Sequence, residues 1–150
     1  MFKEQLTYSL WDDNVKDLKW ILENINAKYV FLWTCNSILD EMFEAIIGTE
    51  FKYKTLVTWV KQTPTGKMFY GLGNTFRNST EQIMVLYRHK AKSLNLKMRN
   101  VVIAPAGKRT IKPKDFEYEL IDSLKDKGPK GCYIFSGSEN FRDIDTCDII

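Results

Sequence analysis

An α/β domain, with flanking helices and a mainly parallel sheet, is the fold that this sequence predicts, and three observations carry the expectation. Continuous apolar runs of strand length occur at Tyr29-Val30-Phe31-Leu32-Trp33, Leu56-Val57-Thr58-Trp59-Val60 and Cys132-Tyr133-Ile134-Phe135, the pattern of strands covered on both faces. Around them, apolar residues recur at the spacing of amphipathic helices. The order strand, helix, strand, then later helix and strand, is that of a sheet whose strands run mainly in one direction.

In chain order, the first helix is expected over residues 13–26, with Val15, Leu18, Ile21, Leu22 and Ile25 on one stripe and Asp12 or Asp13 placed to cap it. The strand at Tyr29–Trp33 follows. Ser37 opens a second helix that buries Ile38, Leu39, Met42, Phe43, Ile46 and Ile47, and Gly48 ends it. A second strand lies within Tyr53–Lys61. Residues 62–80 hold Pro64, Gly66, Gly71, Gly73 and Asn74 with no apolar period. Such a long loop inside a compact domain is functional or mobile. Glu81–Tyr87 is a third strand, 88–98 is basic and irregular, and Val101-Val102-Ile103 is a short fourth strand ending at Ala104-Pro105. Pro113, favoured in a first helical turn, opens a helix that buries Phe116, Leu120, Ile121 and Leu124 and stops at Asp126-Lys127-Gly128-Pro129. Cys132–Phe135 is read as the last strand, followed by Ser136-Gly137-Ser138.

Composition narrows the class. The 150 residues fit one domain, with 44% hydrophobic and 27% charged residues, ordinary for a globular chain. No apolar run approaches the roughly 20 residues of a membrane-spanning helix. Met1-Phe2-Lys3-Glu4-Gln5-Leu6 lacks the apolar centre of a signal peptide. The expectation is an intracellular protein, cytoplasmic or nuclear, with no membrane partner. Cys35, Cys132 and Cys147 are far apart, no CxxC pair is present, and His89 is the single histidine. A Cys/His zinc site is therefore not expected. The cysteines read as reduced thiols, two of them buried on strands. His89 has no nucleophile near it in sequence and is assigned no catalytic role. A net charge of +3 permits nucleic-acid binding without demanding it.

Ligands of parallel sheets bind beyond the carboxyl ends of the strands, here Trp33–Asn36, Lys61 onward and Ser136–Asn140. Lys61 leads into the Gly-rich loop with Tyr70, Phe76, Arg77 and Asn78. Rings beside cations suit an unstacked base, and the alternative is a polar surface loop whose rings fold back on the core. Gly71-Leu72-Gly73 is no dinucleotide fingerprint, because the third glycine and the following helix are missing. Lys112, before the helix opened by Pro113, could reach an anion such as a carboxylate with help from first-turn amides, or be one more exposed lysine. Glu139 and Asn140, after the last strand, are placed to bond a ribose or an amino-acid group, or form a plain turn. Arg88, His89, Lys90, Lys92, Lys97, Arg99, Lys108 and Arg109 make a phosphate-tracking stripe if they share a face, and a solvated surface if they do not.

Taken together and in order, these segments resemble the mRNA-type adenine-N6 methyltransferase family across nearly the whole chain. The similar stretches are Leu6-Thr7-Tyr8-Ser9-Leu10 with the helix after it, Phe31-Leu32-Trp33 followed by Thr34 and Asn36, and Trp59-Val60-Lys61. Further along come Gly71-Leu72-Gly73, Arg77-Asn78-Ser79-Thr80-Glu81, Ala104-Pro105, Lys112-Pro113-Lys114-Asp115, the run Tyr118-Glu119-Leu120-Ile121-Asp122-Ser123-Leu124, and Ile134-Phe135-Ser136-Gly137. The resemblance implies a Rossmann-like class I methyltransferase fold, S-adenosyl-L-methionine as methyl donor, and an adenine of DNA or RNA as acceptor. It implies that Lys112 contacts the cofactor's carboxylate region, that Asn140 holds its ribose or adenine side, and that Lys61, Arg77 and Asn78 belong to substrate-binding loops.

The family's Asp-Pro-Pro-Trp motif, which holds the adenine amino group, is absent from this sequence. Methyl transfer depends mostly on in-line placement of the reactants, so much of the rate acceleration should be lost with it. Met1-Phe2-Lys3 begins close to where that motif would end, and the domain reads as truncated at its front. Gly137 and Glu139 stand where the family places a cofactor-contacting Arg and His, and the closing Gly-Asn pair is not recognisable in 144–150. Two functional readings follow: an adenine-N6 methyltransferase domain, incomplete or impaired, or a non-catalytic subunit that pairs with an active methyltransferase and helps hold nucleic acid. A nucleic-acid-binding module without such a partner is a third.

Overall fold

A computed structural model describes residues 11–107, 112–126, 132–135, 141–143 and 148–149. Among the described residues, helices α1 (Trp11–Asn24), α2 (Leu39–Ile46) and α3 (Lys114–Asp126) accompany strands β1 (Tyr29–Thr34), β2 (Phe51–Gln62), β3 (Thr80–Arg88), β4 (Val101–Pro105), β5 (Cys132–Phe135), β6 (Phe141–Asp143) and β7 (Asp148–Ile149). The strands form one sheet in the order β4-β2-β3-β1-β5-β6-β7. No helix among the described residues is long and apolar enough to cross a membrane.

The α/β class holds, and the mainly parallel sheet does not. Only β1–β5 and β2–β4 pair in parallel; β1–β3, β2–β3, β5–β6 and β6–β7 are antiparallel. The cause lies in the connections. A parallel neighbour needs a crossover of a dozen or more residues, usually a helix. The chain between β2 and β3 carries no helix, so β3 returns antiparallel and lies between β1 and β2. β6 likewise runs antiparallel to β5. Cys132–Phe135 is therefore not the last strand, since β6 and β7 follow it. Even so, β1, β2, β4 and β5 all point one way, and their carboxyl ends share one edge of the sheet.

Strand periodicity divides the core in two. On one face, Val30, Leu32, Met84, Leu86 and Phe51 pack against Leu18, Ile21, Leu22, Ile38 and Met42 of the first helical segments. On the other, Phe31, Trp33, Trp59, Ile83 and Val85 pack under Leu120, Ile121 and Leu124 of α3. Each such side chain contributes about 1.5–3 kcal/mol when fully buried. Helix α1 begins at Trp11, ahead of the aspartates expected to cap it. The second helix enters through a 3-10 turn at Asn36–Ile38, and Gly48 leaves it in a left-handed conformation, φ 82°. Cys35 is half-buried just past β1; Cys147 lies outside the described residues.

Strand β2 contains a bulge. Tyr53 pairs with Leu86 and Thr55 with Val85, so Lys54 is the extra residue. Phe51 and Trp59, both odd-numbered, thereby face opposite sides of the sheet.

Arg88 belongs to the fold rather than to a phosphate stripe. Its Nε donates to the Ala27 carbonyl at 2.8 Å and its Nη2 to that of Ile25 at 3.0 Å. Its Nη1 pairs with Glu50, and the guanidinium stacks on Phe51 at 4.6 Å. The forked cation thus ties the turn after α1 to the start of β2. Arg88→Ala is expected to cost about 2–3 kcal/mol, read as a lower urea midpoint at unchanged slope. Arg88→Lys should recover less than half, because one ammonium lacks the planar fork that serves two carbonyls and a carboxylate.

Candidate functional site at the carboxyl ends of the strands

The two lysines singled out in the sequence meet. Lys61 lies one residue before the end of β2, and Lys112 precedes α3. Lys61 Nζ sits 3.3 Å from Glu81 Oε1, and Lys112 Nζ donates to Glu81 Oε2 at 3.0 Å. Side-chain exposures are 18% for Lys61, 14% for Glu81 and 8% for Lys112. The register explains the meeting. Glu81 pairs with Trp59 and, two residues before Ile83, points to the α3 face. Lys61, two residues after Trp59, points the same way.

Aromatic rings form the floor. Lys112 Nζ lies 5.4 Å from the Trp33 ring, and Lys61 Nζ lies 5.2 Å from Trp59 and 5.5 Å from Phe69. Trp33 and Trp59 meet edge to face at 6.0 Å. Ring faces attract cations, so the indoles help hold the ammonium groups beneath solvent. Trp59 Nε1 donates to the Ala104 carbonyl at 3.0 Å, tying β2 to β4. Trp33 Nε1 is buried and has no acceptor among the described residues. Among the described residues, two ammonium groups share one carboxylate, which leaves one positive charge uncompensated there, and Trp33 adds a donor without an acceptor. The chemistry suited to that place is an anionic oxygen: charge-assisted bonds to it are about twice as strong as neutral ones.

On the opposite flank of the same tip, the residues are neutral. Asn36 Nδ2 donates to Asn78 Oδ1 at 2.9 Å and to Thr80 Oγ1 at 3.1 Å. Gln82 Nε2 reaches Thr80 Oγ1 at 3.2 Å, while Gln82 Oε1 is buried without a partner. A buried unsatisfied polar group costs about 1–3 kcal/mol, and among the described residues Trp33 Nε1 and Gln82 Oε1 both lie at this tip.

The segment between β2 and β3 is less loose than its composition suggests. Residues 61–63 bond to 67–69, Gly71 N–H donates to Asn78 O at 2.9 Å, and Asn78 N–H returns to Leu72 O at 3.0 Å. Gly73, at φ 146°, approaches the Phe76 carbonyl so closely that a Cβ would stand 2.0 Å from it. The rings do not fold back on the core: Tyr70 is 75% and Phe76 87% exposed. Arg77 stacks on Tyr70 at 5.0 Å.

Of the residues predicted from sequence, Lys61 and Lys112 are thus brought together and Asn78 lies on the neutral flank. Arg77 is exposed on the loop, with no contact to the Glu81 cluster among the described residues. Asn140 and Glu139, with Lys108 and Arg109 of the basic stripe, lie outside the described residues. Glu81 and Gln82 were not singled out in the sequence, and Trp33 and Trp59 entered it only as strand ends. No group of three or more His, Cys, Asp and Glu able to hold a metal occurs among the described residues. No protein-family model matches the chain, and no curated protein matches it.

Proposed function

We propose that this chain is an adenine-N6 methyltransferase-like domain of Rossmann-like class I type, which binds S-adenosyl-L-methionine at the strand tips and handles an adenine of DNA or RNA there. The observation that carries the reading is the convergence of Lys61 and Lys112 on Glu81, over Trp33 and Trp59, at the carboxyl ends of strands that run in one direction. Ligands of open α/β sheets bind at such ends. The uncompensated charge and the vacant indole donor fit the cofactor's carboxylate, with Lys112 and Lys61 as its cations. The exposed Tyr70, Phe76 and Arg77 suit a base held outside a duplex. The cofactor supplies the electrophilic methyl group; the residues on this chain bind and orient.

The Asp-Pro-Pro-Trp stretch that would position the amine is absent from the sequence, so binding is expected and turnover by this chain alone is not. A second reading is a non-catalytic subunit that pairs with an active methyltransferase. The edge strand β4 fits it: Val101 and Ile103 are 49% and 64% exposed, a surface that natural edges usually avoid.

Titration calorimetry separates the readings. Binding of S-adenosyl-L-methionine by the whole chain, weakened at least about tenfold by Lys112→Ala, supports the cofactor site; tenfold is about 1.4 kcal/mol. Absence of heat at millimolar cofactor sinks it. Co-purification with a chain containing Asp-Pro-Pro-Trp supports the partner subunit.

A further inference from the structure

A second candidate site lies at the opposite end of the sheet, independent of the strand tips. Beneath residues 93–100 is a cavity of about 280 Å³. Its floor is Tyr29, Phe31, Val57 and Val85 of the sheet, and Phe116 and Leu120 of α3 form a wall. Leu94, Leu96 and Met98 line its outer side and leave it partly open to solvent, while Asn95, Lys97 and Arg99 between them are exposed. This two-residue alternation is that of a strand, yet the segment joins no sheet; it serves as a cover. One contact holds its start: Tyr29 OH donates to the Lys92 carbonyl at 2.6 Å; Asn95 within it sits in the left-handed region at φ 49°. Held departures of this kind cluster at ligand clamps.

The bulge in β2 gives the cavity its charge. Lys54, the extra residue, lines the mouth beside Thr55, with Nζ 5.2 Å from the Tyr87 ring. Without Lys54 the strand would already alternate correctly: Phe51, Tyr53 and Leu56 to one face, Lys52, Thr55, Val57 and Trp59 to the other. The fold therefore has no need of it, and bulges commonly re-aim a side chain beside a site. Arg99 stands at the same mouth. Neither cation has a carboxylate partner among the described residues.

We infer that this cavity binds a small amphiphilic anion, an alkyl chain carrying one carboxylate, with the chain between the sheet and Leu94-Met98 and the head group on Lys54 and Arg99. At about 30 Å³ per water-sized group, the volume holds about nine such groups, the size of a medium-chain fatty acid. An apolar chamber with a few polar groups at its entrance is the usual build of a small-molecule site.

The test uses the whole chain, with octanoate as probe and octanol as its neutral match. Methyl NMR is expected to show octanoate shifting Val57, Val85, Leu94 and Leu96, with octanol about tenfold weaker. Deleting Lys54 preserves the strand register, and Arg99→Gln is a surface change; each should weaken octanoate severalfold and leave octanol unchanged. Leu96→Trp, which fills the chamber, should remove both. Unshifted cavity methyls at millimolar octanoate, equal binding of octanol, or shifts spread over distant residues would each overturn the proposal. None of these readouts involves Lys61, Glu81 or Lys112, so the two sites stand or fall separately.

Discussion

Glu81→Ala is expected to lower stability by about 3 kcal/mol, roughly a 6–12 °C fall in melting temperature for a domain of this size. The loss comes less from the missing ion pairs than from what remains. Lys112, 8% exposed, would lose its carboxylate partner and be left against the Trp33 face. Breaking a buried pair by removing one member costs about 3–5 kcal/mol; the low end applies because Lys61, at 18% exposure, can swing toward water. The triple variant Lys61→Met, Glu81→Leu, Lys112→Met should recover most of the loss, since replacing a whole buried ionic group with apolar residues is often neutral or stabilising. Recovered stability without recovered cofactor binding would mark the cluster as kept for a ligand. A Glu81→Ala loss below about 1 kcal/mol would instead mean that the lysines are solvated.

Trp33→Ala should cost about 4 kcal/mol, within the range for large aromatic truncations in a core. Its indole is 1% exposed and underlies both Trp59 and Lys112. The informative comparison is with phenylalanine. Trp59→Phe forfeits the bond to the Ala104 carbonyl, worth about 1 kcal/mol and more if the carbonyl is left dry. Trp33→Phe forfeits no bond, because Trp33 Nε1 has no acceptor among the described residues. Denaturant melts are therefore expected to rank the losses Trp33→Ala, then Trp59→Phe, then Trp33→Phe. If Trp33→Phe costs as much as Trp59→Phe, the indole N–H has a partner and the tip has no vacant donor.

Much of this arrangement was legible in the residues. The helices and the first five strands fall where apolar periodicity puts them, within the usual play of a residue or two at each end. Strand direction was legible too, but the decisive sign was the helix-free stretch 62–80, which forces β3 to come back antiparallel; the alternation of elements outweighed it. β6 and β7 left little trace, because Phe141-Arg142-Asp143 and Asp148-Ile149 are too short for periodicity to act. At the site, Lys61 and Lys112 stood out as cations at a strand end and a helix entrance. Glu81 did not, since its importance depends on which face it takes, and that follows from pairing with Trp59 across the sheet. Arg88 misled in the other direction: nothing local separates a cation bound to backbone carbonyls from one left in water. The alternation of Leu94, Leu96 and Met98 was readable, but the lysines among them drew attention to charge.

The position of β1 has a further consequence for biosynthesis. Its six residues are all buried, carry no charge, and pair with Gln82–Tyr87 on one side, while Tyr29–Leu32 also pair with Cys132–Phe135 on the other. On the ribosome, this strand emerges well before either neighbour exists. Between those moments, a sticky, uncharged, β-prone segment waits with both edges bare, the composition that nucleates aggregates. Yield in cells should therefore depend on chaperone supply and on translation speed downstream of β1.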